Sequence, residues 1–306
     1  MAKVRTVLGD VDPQEIGITL IHEHLFYDRI GEEEQNRKFV DLEVQRKELS
    51  GFQEQGGKCV VDQTTIDLGR QPKLLQRLAE ETGLHIIAST GFYHEPWLPE
   101  IVRNADINQI AHQMINEIDE AIEGVDFRAG LIGEIGSTEI GTTAQEEKVL
   151  RAAARAHQAT GAPISTHTIA GAEALHQIAI LKEEGVELQK VIISHVDLDH
   201  VEHLCLIAEQ GVFLGFDTIG KPRFRDEYRM TGDEIRLEVL CAMVKAGFED
   251  QILLSHDISN PDYLSTNGGH GYIHLLGEFV PRLHDRLSET TIEKFIIHNP
   301  RRALEF

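Results

Sequence analysis

Eight short apolar runs, spaced so that one helix fits between each and the next, constrain this chain more than any other feature. They are ITLIHEHL (18–25), KCVVDQTT (58–65), HIIASTGF (85–92), AGLIGEIG (129–136), PISTHT (163–168), KVIISHVD (190–197), VFLGFDT (212–218) and QILLSHDI (251–258). Between them lie stretches of helical period, such as EEKVLRAAARAHQATG (146–161) and AEALHQIAILKEEG (172–185). Each of these two ends at a glycine suited to cap a helix before the next strand begins. Near-continuous apolar strands imply a parallel sheet covered by helices. Eight of them over 306 residues predict the α/β class and a single (β/α)8 TIM barrel, with 1–306 as one domain. The competing doubly wound sheet would carry a glycine-rich phosphate turn after an early strand, and neither GxGxxG nor GxxxxGK[ST] occurs.

In a barrel, the C-terminal ends of the strands converge on one cavity, and chemistry is placed there. Polar residues stand at those ends. His22 and His24 close the first run, Glu134 the fourth, His167 the fifth, His195 the sixth and Asp257 the eighth. Two histidines two apart on a strand share a face. Taken alone, any one of these residues reads more readily as a hydrogen-bonded core histidine, a capping aspartate or the partner of an arginine than as a metal ligand. Taken together, four imidazoles and two carboxylates at one rim form a donor set for zinc and neighbouring divalent ions. Six ligands exceed the needs of one catalytic ion. They suit two, roughly 3.5–4 Å apart, bridged by a carboxylate and a water-derived hydroxide.

Composition removes several alternatives. A formal net charge of −22 argues against nucleic acid as a partner. Cys59, Cys205 and Cys241 are far apart, form no CxxC and suggest neither a disulfide framework nor a thiolate metal site. The first residues lack the apolar core of a signal peptide, and no run reaches the ~20 residues of a membrane span. The expectation is a cytoplasmic protein acting on a small molecule away from membranes. The charged stretch GEEEQNRK (31–38) reads as a solvated loop or helix.

From TLIHEHL through AGLIGEIG, PISTHT, VIISHVD, GFDTIG and LLSHDI to NGGHGY and NPRRALEF, the chain resembles the phosphotriesterase family of the amidohydrolase superfamily. GEIG, PISTHT and FDTIG are most similar to its phosphotriesterase homology protein subgroup. The resemblance implies a binuclear metal hydrolase of esters, with the six residues above as ligands, and self-association as a homodimer. Related phosphotriesterases and lactonases bridge their metals with a carboxylated lysine on the fourth strand. Here RAGLIGEIG holds no lysine, and Glu134 is its one carboxylate, as in the homology-protein subgroup. A glutamate is shorter, so the strand must approach the metals through a local bulge. Efficient phosphotriesterases also carry a histidine after the seventh strand and an acid after the sixth, where this chain has Thr218 and Leu198. At most weak phosphotriesterase activity is expected.

On this reading the metals lower the pKa of the bridging water, and Asp257 takes its proton and passes it to the leaving group. The absence of a GxSxG elbow agrees. Tyr93, in STGFYHEPW, matches a position where related lactonases carry a substrate-facing tyrosine, and reads equally as a rim aromatic. Lys221, Arg223 and Arg225 in GKPRFRDEYR (220–229) form either an anion clamp for substrate or a solvated loop. NGGHGYIH (267–274) is glycine-rich enough to act as a flap. Sequence alone ranks a lactone or sugar lactone first as substrate. An N-acylated small acid, cleaved at its amide, is the alternative, and a metal-binding barrel without catalysis the third reading. The metals are expected to be two zinc ions, with manganese, cobalt or nickel as substitutes.

Overall fold

Alternation along each strand sorts the apolar side chains into two sets, one inside the barrel and one beneath the helices. The computed structural model describes residues 2–29, 38–138, 140–197, 199–221 and 232–306. A hairpin of β1 (Val4–Thr6) and β2 (Gly9–Val11), not foreseen from sequence, precedes the barrel. The eight predicted strands follow as β3 (Ile18–Glu23), β4 (Gly57–Asp62), β5 (His85–Thr90), β6 (Leu131–Gly136), β7 (Ile164–His167), β8 (Val191–Ile193), β9 (Phe213–Phe216) and β10 (Ile252–Leu254). They pair in parallel, each with its sequence neighbour, in one eight-stranded sheet. Helices α1 (Leu42–Glu54), α2 (Pro72–Thr82), α3 (Glu100–Asn104), α4 (Ile107–Asp119), α5 (Ala144–Thr160), α6 (Ala174–Glu183), α7 (Val201–Ala208) and α8 (Asp233–Lys245) connect them.

The period of two is visible in the packing. Cys59, Val61, Ile87, Leu131, Ile192, Phe213 and Leu253 fill the barrel, above a floor that includes Val4, Ile16 and Leu304. Their neighbours Val60, Ile86, Ile132, Ile193, Leu214 and Leu254 face the helices. Both helices predicted from sequence are present. For α5 the physical reason is local: Thr143 and Glu146 form a capping box at its start, and Gly161 ends it at φ 76°.

Two strands break the alternation, and both carry site residues. On β3, the pairing Leu20↔Val60 is followed by Glu23↔Asp62, so three steps oppose two. On β6, Ile132↔Ile164 is followed by Ile135↔Thr166, again three against two. An extra residue re-aims everything beyond it. Leu20 and Glu23 therefore both turn away from the barrel axis, as do Ile132 and Ile135, leaving His22 and Glu134 to face inward. The bulge expected at Glu134 is present. Gly133 makes it feasible, since a Cβ there would stand 2.2 Å from the Ser165 carbonyl oxygen.

Glu23 closes the barrel between its first and last strands. Its Oε1 accepts from Ser255 Oγ (2.8 Å), the His256 amide (2.9 Å) and His256 Nδ1 (2.7 Å), and its Oε2 accepts from the Ile258 amide (3.0 Å). The Asp257 amide, in the same segment, donates to the His22 carbonyl at 3.1 Å. Sequence reading passed over Glu23 as the residue between two histidines. Its carboxylate is fully buried, so Glu23→Ala strands several buried donors. A loss of roughly 3 kcal/mol in urea unfolding is expected. A change below about 0.5 kcal/mol would show that the closure is held elsewhere.

Candidate metal centre

The strands are shorter than their apolar runs suggest, so three of the site residues sit beyond strand ends. His24 follows β3 directly, His195 lies two residues past β8, and Asp257 three past β10. His195 and Asp257 have positive φ, 60° and 50°. That conformation is uncommon for residues with a Cβ and turns the chain sharply over the barrel mouth. Glu134 lies within β6 and His167 ends β7.

These six residues meet. His22, His24 and Asp257 form one group, and His22, Glu134 and His195 another, with the donor atoms of each group within 4.8 Å of one another. Glu134 is the hub. Its Oε1 is 3.2 Å from His24 Nε2, and its Oε2 lies 3.0 Å from His167 Nδ1, 3.5 Å from His195 Nε2 and 3.6 Å from His22 Nε2. Asp257 Oδ1 is 3.1 Å from His24 Nε2 and 3.9 Å from His22 Nε2. His167 falls outside both groups and joins them through Glu134.

Orientation comes from residues that sequence reading did not single out. Asp217, just past β9, takes His22 Nδ1 at 2.8 Å with one oxygen and His195 Nδ1 at 2.8 Å with the other. Thr64 Oγ1 lies 3.0 Å from His24 Nδ1. The Nδ1 atoms are thus occupied and the Nε2 atoms aimed at the centre. The one available signal for Asp217 was a carboxylate following an apolar strand, in FDTIG.

A cation fits this centre on two counts. His22 Nε2 is buried without a hydrogen-bond partner, which is costly unless something there accepts its lone pair. The field is also strongly negative. Burial pushes the His22, His24 and His195 imidazoles down, yet the surrounding carboxylates overcome it and hold all three up at about 10. Asp217 and Glu134 act on His22, Asp257 and Glu134 on His24, and Asp217 chiefly on His195. Sites that retain protons this strongly also attract divalent ions.

The remaining expectations fare differently. Tyr93 reaches the centre, its hydroxyl 3.2 Å from His167 Nε2. Lys221 is not part of a solvated loop. It is 4% exposed, its ammonium donates to Asp257 Oδ2, and it lies 5.2 Å from the Tyr263 ring. Burial would lower that ammonium, but the Asp257 charge outweighs it and raises it instead. Arg223, Arg225, Leu198 and most of the 31–38 stretch lie outside the described residues. Thr218 is tied into a buried group away from the imidazoles, its Oγ1 donating to Asp197 at 2.5 Å while Arg236 Nε donates to the same carboxylate at 2.7 Å. His270 packs against His256, His274 and Tyr263. A cavity of about 90 Å³ opens onto the centre, lined by His24, Glu134, His167, His195, Asp257 and Tyr93. No helix among the described residues is long and apolar enough to cross a membrane.

Known proteins are similar to this chain over nearly its whole length. The family model described as the phosphotriesterase family matches residues 2–304. The phosphotriesterase homology protein of Escherichia coli is 35% identical, over 93% of this chain and 96% of its own. Its crystal structure, complexed with phosphate in the active site, aligns with a TM-score of 0.90 at 34% identity, over 95% of this chain and 99% of that one. An N-acetyltaurine hydrolase of Bos taurus is 34% identical over 99% of this chain and 98% of its own length. A lactonase from Listeria monocytogenes aligns with a TM-score of 0.90 at 30% identity, over 99% of this chain and 98% of that one.

Proposed function

The chain belongs to the phosphotriesterase family, whose members are metal-dependent hydrolases, and on that premise we propose that it hydrolyses the amide bond of a small N-acylated acid. The observation that carries the reading is the convergence of four imidazoles on Glu134, with Asp257 beside two of them, and with His22 Nε2 buried without a hydrogen-bond partner. The amide bond is supported by the N-acetyltaurine hydrolases among the relatives, which outweigh the ester that sequence alone ranks first. A lactone is the second reading. It is supported by the lactonase neighbour and by Tyr93, which stands beside His167.

In this proposal His22, His24, Glu134, His167, His195 and Asp257 would together hold two divalent ions. Zinc suits the imidazole and carboxylate donors, and manganese, cobalt or nickel would be accepted according to supply. When bound, the two ions supply Lewis-acid activation of water and of the substrate's acyl oxygen. Asp257 receives the proton of the attacking water at Oδ1 and returns it to the leaving nitrogen. Lys221 holds Oδ2, so the carboxylate cannot rotate away from the centre. Asp217 keeps His22 and His195 in one tautomer, with each Nε2 facing inward. With Thr218 engaged by Asp197 and Arg236, no side chain at that position can relay a proton to a phosphoester leaving group. Phosphotriester turnover is accordingly at most weak.

Elemental analysis combined with a screen of N-acyl acids, lactones and aryl phosphotriesters tests the reading. The expected result is two equivalents of metal and highest kcat/KM on an N-acylated acid. Preference for a lactone would establish the second reading, and fewer than two metals in fully active protein would refute the binuclear assignment.

A further inference from the structure

We propose that Asp67 is a positioning residue of this site: its buried carboxylate anchors the loop after β5 and so fixes the Tyr93 phenol against the metal centre. The inference rests on the hydrolase reading above and adds to it a residue that acts through another. Asp67 belongs to TTIDLGR, the turn that follows β4. That turn is closed on itself, the Gly69 amide donating to the Ile66 carbonyl at 3.1 Å and the Arg70 amide to the Thr65 carbonyl at 3.2 Å. Asp67 is buried within it, and Thr65 Oγ1 donates to its Oδ1 at 2.6 Å, which sets the direction of the carboxylate. Both oxygens then face one donor, the Tyr93 amide, at 3.1 and 2.9 Å. Burial raises the carboxyl to about 6, which still leaves it ionised at neutral pH. An ionised acceptor makes the stronger kind of hydrogen bond to a backbone amide.

Tyr93 is held from its other side by β6. Its carbonyl accepts from the Gly136 amide at 2.9 Å, two residues beyond Glu134. A Cβ at Gly136 would stand 2.8 Å from the His94 Cβ, so glycine is what admits the loop this close to the strand. Tyr93 is thus clamped by its amide to the turn after β4 and by its carbonyl to the end of β6, and that clamp sets where its side chain starts. The ring meets His167 edge to face, with centroids 4.8 Å apart. Its hydroxyl lies 3.3 Å from Nδ1 and 3.2 Å from Nε2 of that imidazole. The same residue lines the cavity beside Glu134 and Asp257. A phenol keeps its proton at neutral pH, so this hydroxyl can donate to His167 or to a substrate oxygen. Without Asp67, one of the two backbone ties that place it is lost.

The test is a double-mutant cycle on the metal-loaded protein, each variant checked for metal content and cooperative unfolding. Asp67→Ala is expected to lower kcat/KM about 10-fold on the preferred substrate, Tyr93→Phe by a similar factor, and the double variant no further than Tyr93→Phe alone. Asp67→Asn keeps an acceptor for the Tyr93 amide and should recover most of the loss. Thr65→Val removes only the hydroxyl that orients Asp67. It should give a smaller loss that also vanishes in the Tyr93→Phe background, and it carries the cycle if Asp67→Ala does not fold. Equal factors with and without the Tyr93 hydroxyl, or no loss in Asp67→Ala, overturn the proposal. Trp97 is the one tryptophan of the chain and lies in the same loop, its amide donating to the His94 carbonyl at 2.9 Å. Quenching of its fluorescence by acrylamide therefore reads the loop without turnover. It should rise in Asp67→Ala towards the value of the unfolded protein and stay at the parent value in Asp67→Asn. Should no amide, lactone or phosphotriester be cleaved, this measurement decides the matter separately from the reaction class: unchanged quenching in Asp67→Ala refutes the anchor.

Discussion

Asp257→Asn is expected to keep its metal and lose about 10³-fold in kcat. The asparagine retains an oxygen where Oδ1 lies 3.1 Å from His24 Nε2, so a ligand survives the exchange. It cannot accept a proton there. The amide also puts an N–H₂ against the Lys221 ammonium where Oδ2 had received it, which turns a charge-assisted hydrogen bond into a repulsive contact. Part of the loss therefore appears as a looser side chain. Elemental analysis alongside kcat separates the effects: retained metal with lost turnover marks the proton-transfer role. Full turnover would remove Asp257 from the mechanism.

Glu134→Ala is expected to release at least one of the two metals and to lower kcat/KM by at least about 10³-fold. No other carboxylate on the described residues of β6 can replace it, and its oxygens lie within 3.6 Å of four imidazoles. The bridge in this proposal is part of the chain itself. Reconstitution of the parent protein from apoprotein and metal should therefore proceed equally well with and without bicarbonate. A strong bicarbonate requirement, or an alanine variant that still binds two metals, would show that something other than Glu134 joins them.

The six candidate donors were legible in the sequence, and the residues that orient them were not. His22, His24, Glu134, His167, His195 and Asp257 all lie at or near the ends of apolar runs, a pattern readable without knowing which strand pairs with which. The hydrogen bond from His22 to Asp217 joins residues 195 apart in the chain, and no local pattern announces it. Lys221 shows the same limit in reverse. Its neighbours in sequence suggested either an anion clamp or a solvated basic loop, yet its ammonium donates to a buried carboxylate 36 residues away.

The sequence by itself determined the parallel eight-stranded barrel and singled out six candidate donors near its strand ends, because periodicity and composition at strand ends are properties of short segments. Tertiary structure alone decided which atoms share a centre, which carboxylate orients two of the imidazoles and which cation meets Asp257. The physical reason is register. Adding one residue to β3 and one to β6 reverses the face of every side chain beyond it, and partners distant in the chain meet only after the strands have paired.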